Sequence, residues 1–252
     1  MEIRVSNIQK NFNKASVSYD CVGKIQKSSA KFLVDEILNF KNFDPKTILD
    51  VGTGTGYLPE FLLPKFGASS FYLNDIADKM LEVCKIKFSK YSNVFYLPGD
   101  MLDLNACICD YVVSNLALQW VDDLRNALEF LNTKSSNLFA FSTLLEGNFY
   151  EWRDVINKYQ TIHLHKYPKE GDLVNVCFGI KKRNQIFQFW SKNFSLTLDS
   201  ALEFVRYLKL LGACASLDSI HLTNFRKLIQ EHQHPLTVTY KVFFGIFRNT
   251  DQ

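Results

Sequence analysis

Apolar and polar positions alternate between two periods along the first half of the chain. Phe32, Leu33, Ile37 and Leu38 fall at helical spacing within residues 28–40, and Pro45 closes that stretch. A short apolar run at 47–51 predicts a buried strand that leads into a glycine-rich loop. Helices are predicted over 58–65, 78–88 and 121–131. Strands are predicted over 71–73, 93–97, 110–113 and 137–143. Strands and helices in alternation imply an α/β protein with a parallel sheet covered on both faces. The second half is less regular. It predicts a helix at 148–160, a loop at 161–171, and a strand at 185–197 rich in strand formers such as Phe187, Phe189 and Trp190. A helix at 200–211 ends near Gly212, a weaker one follows at 223–230, and a long strand spans 236–247. In that last strand Val238, Tyr240, Val242 and Phe244 share one side. No repeat or linker interrupts the pattern. The reading is one domain over 1–252, with an N-terminal helical cap at about 1–42 and helical inserts at about 148–180 and 199–232.

Composition narrows the class. The chain is 47% apolar and 22% charged, which suits a packed core and excludes a disordered chain. Its 29 basic and 26 acidic residues nearly cancel, so a nucleic-acid partner is not expected. No apolar run reaches the ~18 residues a membrane span needs, and the polar N-terminus lacks a signal-peptide core. The six cysteines form no C-x-x-C pair, which argues for reduced thiols in a cytoplasmic protein and against a zinc site. The H-x-H pairs at 163/165 and 232/234 have no supporting ligands, so no metal is expected.

The strongest local feature is Asp50-Val-Gly52-Thr53-Gly54-Thr-Gly56, at the junction of a predicted strand and helix. Open α/β sheets bind ligands at such junctions, where glycines admit a cofactor close to the backbone. The spacing is not the dinucleotide fingerprint, since Tyr57 stands three residues after Gly54, and no G-K-[ST] phosphate loop follows. An ordinary glycine turn is the plain alternative. Two acids accompany the loop. Asp75 ends the second strand and can accept from ribose hydroxyls, or else cap the next helix. Asp100 follows Pro98-Gly99 and can accept from an adenine amino group, or else serve a turn. Together they describe a pocket for adenosine joined to an amino acid, that is, S-adenosylmethionine.

These residues resemble the class I methyltransferase family. The resemblance implies a Rossmann-like, seven-stranded, mostly parallel sheet with an antiparallel last strand and helical insertions after strands five and six. It implies that Gly52, Gly54 and Gly56 hold the methionine end, Asp75 the ribose and Asp100 the adenine. Asp50, Thr53, Ile76, Met101, Ser114, Asn115 and Leu116 complete the implied cofactor set. A longer series resembles the malonyl-acyl-carrier-protein O-methyltransferases. It comprises Phe12, Ala15, Tyr19-Asp20, Gln26, Ser114-Asn-Leu-Ala-Leu-Gln-Trp120, Phe141-Ser-Thr-Leu144, Leu208-Lys-Leu-Leu-Gly-Ala213 and Thr239-Tyr-Lys-Val-Phe-Phe-Gly245. That resemblance runs from about Ser6 to Arg248. Thr53 departs from it where cysteine is frequent, and Lys134-Ser-Ser136 replaces a proline/glycine turn.

What the resemblance implies is methyl transfer to the free carboxylate of malonyl-acyl carrier protein, an acidic partner, giving an ester used in biotin synthesis. A carboxylate is already ionised at neutral pH, so no acid/base catalytic residue is expected. Substrate-side candidates are Tyr19, Gln26, Gln119, Trp120 and His163, with Arg206 and Lys209 as cationic partners for the carboxylate. Lys181-Lys-Arg183 is a candidate docking patch for the acidic carrier. The enzyme is expected to be a monomer. Two alternatives stand beside this: a methyltransferase-like assembly factor acting on or binding a partner protein, and methylation of another small acid. Ser114-Asn-Leu-Ala117 does not fit the [DN]-P-P-[YF] run usual in amino-directed nucleic-acid methyltransferases.

Overall fold

The computed structural model describes residues 2–40, 43–104, 108–159, 166–213 and 222–250. Three helices precede the sheet: α1 (Glu2–Ala15), the single turn α2 (Tyr19–Val22) and α3 (Lys24–Leu38). The sheet has seven strands: β1 (Thr47–Val51), β2 (Ser70–Asp75), β3 (Val94–Pro98), β4 (Cys109–Asn115), β5 (Ser135–Leu144), β6 (Gln185–Leu198) and β7 (Leu236–Asn249). Helices α4 (Tyr57–Leu62), α5 (Asp78–Lys87) and α6 (Leu124–Thr133) link the first five strands. Helices α7 (Tyr150–Ile156) and α8 (Glu170–Ile180) lie between β5 and β6, and α9 (Ala201–Leu210) and α10 (Leu222–Glu231) between β6 and β7.

Strand order is β3-β2-β1-β4-β5-β7-β6. Pairing is parallel from β3 to β5, and β7 alone runs antiparallel to both its neighbours. Order reverses beside β1, so the ends of β1 and β4 open a crevice, as expected of a doubly wound sheet.

Adjacent strand residues bury opposite sides. Ile48, Tyr111, Val113, Val242 and Phe244 pack under α3, α7 and α9, whereas Leu49, Val112, Phe139, Phe243 and Phe247 pack under α6 and α8. On the second face Phe247 stacks on Phe139 at 5.9 Å and on Phe187 at 4.6 Å. Each buried ring of this size contributes about 1.5–3 kcal/mol relative to exposure. Strand β7 extends past β5: residues 236–241 pair only with β6, and this two-stranded arm supports α7 and α9 above the sheet.

Helix α8 does not stand out in the periodic pattern. Leu173, Cys177 and Ile180 form its buried stripe, but Gly171 and Gly179 weaken its intrinsic propensity, and packing on the sheet is what forms it. Among the described residues, no helix is long and apolar enough to cross a membrane.

Candidate functional site

A cavity of about 270 Å³ lies at the crevice. Gly52 and Gly54 line its base, and Gly52, Gly54 and Gly56 all hold the left-handed region, with φ of +65°, +56° and +85°. A side chain at Gly52 would place its Cβ 2.4 Å from that of Ala117. At Gly54 the nearest atom would be Tyr19 Cε1 at 3.9 Å, so this glycine faces the open cavity. The loop amides are fixed from below: Thr53 N donates to Asn74 O at 2.8 Å, and Gly54 N donates to Asp75 Oδ2 at 2.8 Å.

Asp50, the penultimate residue of β1, is fully buried. Its Oδ2 accepts from Thr53 Oγ1 at 2.6 Å, while its Oδ1 is buried with no hydrogen-bond partner. Burial pushes its carboxyl up to about 7. Asp75 is held by two backbone amides, Gly54 N on Oδ2 and Ala77 N on Oδ1, both at 2.8 Å. Burial lifts it to about 6 in spite of those bonds. Asp100 accepts from Leu102 N at 2.9 Å and caps the short turn that carries Met101 against the cavity.

The opposite wall comes from β4. Ser114 is buried beneath it and donates to Val51 O at 2.9 Å, tying β4 to β1. Asn115 accepts from Ser29 at 2.7 Å and Ser142 at 2.8 Å, and its Nδ2 donates to Gln26 O at 3.0 Å. Leu116 holds φ of +50°, a left-handed conformation that costs a branched residue about 1–3 kcal/mol. Its amide donates to Ser142 O at 3.1 Å and Ser142 Oγ at 3.0 Å, which stabilises that geometry.

Helix α1 covers the cavity with Ile8 and Phe12, and Phe12 meets Trp120 edge-on at 5.5 Å. Tyr19 lines the cavity from α2, which Asp20 anchors through a hydrogen bond from Thr55 Oγ1. Lys87 reaches Glu60 at 2.9 Å and Asp20 at 3.5 Å on the same side.

Most of the expected site residues therefore meet at one place. Tyr19, Asp50, Gly52, Thr53, Gly54, Asp75, Ile76, Asp100, Met101, Asn115, Leu116 and Trp120 line the cavity. Gly56 instead starts α4 beneath it, against Phe88 and Cys84. Gln119 is buried and donates to Leu116 O, and Gln26 is buried behind Asn115. Arg206 and Lys209 are exposed on α9, Arg206 paired with Glu203, and neither lines the cavity. His163 lies outside the described residues. The Lys181–Arg183 cluster sits where β6 begins, at the end of the sheet opposite the glycine loop. Two of its lysines bond backbone carbonyls there: Lys181 Nζ to Gln185 O at 2.9 Å and Lys182 Nζ to Asn132 O at 3.0 Å. Ile8, Leu58, Asp122 and Asn126 also line the cavity and carry no sequence signal of their own, and Ala117 lines it from within the Ser114–Trp120 run.

The seven-stranded sheet, with its last strand antiparallel and its cavity at the crevice beside β1, is the fold of class I S-adenosylmethionine-dependent methyltransferases. Residues 48–133 match the family model described as "Methyltransferase domain". The fold is shared with magnesium protoporphyrin IX methyltransferase from Synechocystis PCC 6803, with a TM-score of 0.58, 14% identity, and coverage of 88% of this chain and 83% of that one. Within the class, similarity extends over nearly the whole chain to proteins named malonyl-[acyl-carrier protein] O-methyltransferase. The one from Neorickettsia risticii is 29% identical, covering 95% of this chain and 94% of its own length. The one from Magnetococcus marinus is 28% identical, covering 97% and 93%.

Proposed function

We propose that the protein transfers a methyl group from S-adenosylmethionine to the free carboxylate of malonyl-acyl carrier protein, yielding the methyl ester that enters biotin synthesis. The near-full-length similarity to enzymes of that name carries the reading. It favours this acceptor over a protein partner of an assembly factor or another small acid. Among the described residues, Cys21, Cys84 and Cys177 are free thiols, which suits a reducing, cytoplasmic setting.

The residues present fit the cofactor. The orphaned Asp50 Oδ1 offers a buried acceptor for an ammonium group. Gly54 leaves room for the amino-acid end to lie on the backbone, and Asp75 and Asp100 line the same cavity as candidate acceptors for ribose and adenine. Bound there, S-adenosylmethionine supplies an electrophilic methyl on a sulfonium, whose S–CH3 electron pair stays on sulfur when that bond breaks. The acceptor's carboxylate oxygen forms the new O–CH3 bond, and no proton moves. The protein's part is orientation and exclusion of water, which in favourable systems amounts to about 7–11 kcal/mol. The groups beside the cavity suit that role. Burial raises the Tyr19 and Tyr57 phenols and the Cys84 thiol, keeping all three neutral and poor as bases.

The test is methyl transfer from labelled cofactor to malonyl-carrier and acetyl-carrier protein. One alkali-labile methyl on the malonyl form and none on the acetyl form is expected. Equal labelling of both would overturn the reading.

A further inference from the structure

Helix α1, which covers the cavity, is abutted near its C-terminal end by the end of α9. A Cβ at Gly212, just after α9, would lie 3.1 Å from each of the Ala15 Cβ, the Asn11 carbonyl oxygen and the Phe12 ring. Across the same seam Ser18 Oγ donates to Leu210 O at 2.8 Å. Beneath it are Phe12 and Tyr19, both in the cavity lining. On α1, Ile8, Phe12 and Ala15 recur at i, i+4 and i+7 and face inward, which leaves Lys10 and Lys14, one turn apart, exposed on the outside. On α9, Phe204, Tyr207 and Leu208 face inward, which leaves Arg206, Lys209 and Leu210 exposed. Val17, beside Ser18 at the seam, is 87% exposed, and Leu210 is 44% exposed.

Single exposed aliphatics are ordinary, but here two from different elements share one seam with several cations. Arg206 pairs with Glu203, whereas Lys10, Lys14 and Lys209 have no ion-pair partner among the described residues. Asp20, the acid of α2, is already engaged by Thr55 and Lys87. The exposed acids of the cavity lining come from elsewhere: Asp122 and Asp123 follow β4. Resting on the malonyl-carrier reading above, we propose that the α1–α9 seam is the docking surface for the acidic carrier protein. Val17 and Leu210 form its apolar centre, and Lys14, Lys209 and Arg206 form the basic rim that meets the carrier's carboxylates.

Position and charge select this occupant. The malonyl group is tethered to its carrier, so the carrier has to dock beside the cavity. The seam lies over Phe12 and Tyr19 and meets that need. The Lys181–Arg183 cluster does not. It sits at the other end of the sheet, about 20 Å away by the rise of the seven residues of β4, and two of its lysines are spent on backbone carbonyls. A second copy of this chain is a poor occupant, because a two-fold contact through the seam would set Lys14 and Lys209 against their own copies. An acidic partner is drawn to the seam and repelled by Asp122 and Asp123, which fixes its orientation as well as its place. Cations on an exposed rim act on encounter and are screened by salt, so they bear on carrier binding and leave the methyl-transfer step alone. Arg206 and Lys209 thus keep a role toward the substrate, through its protein part rather than its carboxylate.

The experiment compares methyl transfer to malonyl-carrier protein with transfer to the malonyl thioester of free pantetheine, which keeps the acyl group and tether but has no protein surface. Lys14→Glu and Lys209→Glu together should raise the KM for malonyl-carrier protein about tenfold at low salt, with kcat, cofactor affinity and the pantetheine reaction unchanged. The wild-type KM for the carrier should itself climb between about 0.01 and 0.15 M salt, as the screening length falls from about 30 to about 8 Å, and the double variant should lose most of that dependence. Val17→Ser should raise the same KM about threefold at either salt. Arg183→Glu, at the far end of the sheet, should behave as wild type. A merely structural effect would depress both substrates alike. A carrier KM that survives the double charge reversal, an equal loss on the pantetheine thioester, a loss confined to Arg183→Glu, or a wild type that gains nothing from the carrier would overturn the docking surface and leave carboxylate methylation standing. A wild type that methylates neither malonyl substrate would overturn the function, and with it the partner assigned here.

Discussion

Asp50 offers the most direct test of the cofactor site. Asp50→Asn preserves shape and leaves an oxygen to accept the Thr53 hydroxyl, but removes the charge that would meet an ammonium group. A charged hydrogen bond of this kind contributes about 1.5–3 kcal/mol, so S-adenosylmethionine should bind roughly 10- to 150-fold more weakly at saturating ionisation. The pH dependence is more telling. Burial places the free protein's Asp50 at about 7. About half of the molecules are then ionised at pH 7 and about 3% at pH 5.5, while an α-amino group of pKa ~7.7–8.0 remains largely protonated over that span. Only the ionised form pairs with the cation, so affinity should fall about 15-fold from pH 7 to pH 5.5. Asp75, at about 6, adds loss in the same direction. Titration calorimetry at several pH values should show a shallower slope in Asp50→Asn than in the wild type. Wild-type affinity in the variant at pH 7, or an undiminished slope, would refute the assignment.

Three further outcomes follow from the geometry. Gly56→Ala brings a Cβ within 2.5 Å of Phe88 at φ of +85° and should lower the melting temperature, whereas Gly54→Ala, with no atom nearer than 3.9 Å, should weaken cofactor binding more than stability, as calorimetry of both variants would show. Ligand-free stability should decline as pH rises through 6 and 7, because Asp50 and Asp75 have folded values of about 7 and about 6 against an ordinary 3.8. A raised folded value stabilises fully below the unfolded value and is lost as pH climbs through the folded one; urea denaturation from pH 4 to 8 should show this component reduced in Asp50→Asn. Arg206→Ala and Lys209→Ala should each change stability by less than about 0.5 kcal/mol and leave cofactor affinity unaltered in the same assays, since both side chains are exposed.

The cofactor half of the site was legible because it is local. Asp50 to Gly56 is one strand end and one loop, Asp75 ends a strand and Asp100 follows one, so sheet periodicity alone brings them to the same edge. The buried polar cluster behind it was not. Gln26, Tyr207 and Tyr240 lie as much as 214 positions apart and meet only because β7 enters antiparallel beside β5 and continues past it along β6. Arg206 and Lys209 show the same limit in reverse. Their spacing puts them on one helical face, but which face of α9 turns outward was decided by Phe204, Tyr207 and Leu208 packing inward.

By itself, then, the sequence determined the class of fold and the chemistry of the cofactor loop. Hydrophobic period and left-handed glycines are properties of short segments, and they act before any tertiary contact exists. Tertiary structure decided the rest: that α8 is a helix despite its glycines, that Leu116 holds a left-handed backbone between β4 and Ser142, that the basic residues near 181 cap strand ends far from the cavity, and that three buried polar side chains converge behind Asn115. Each of these depends on which distant surface a residue meets, and only the packed chain specifies that.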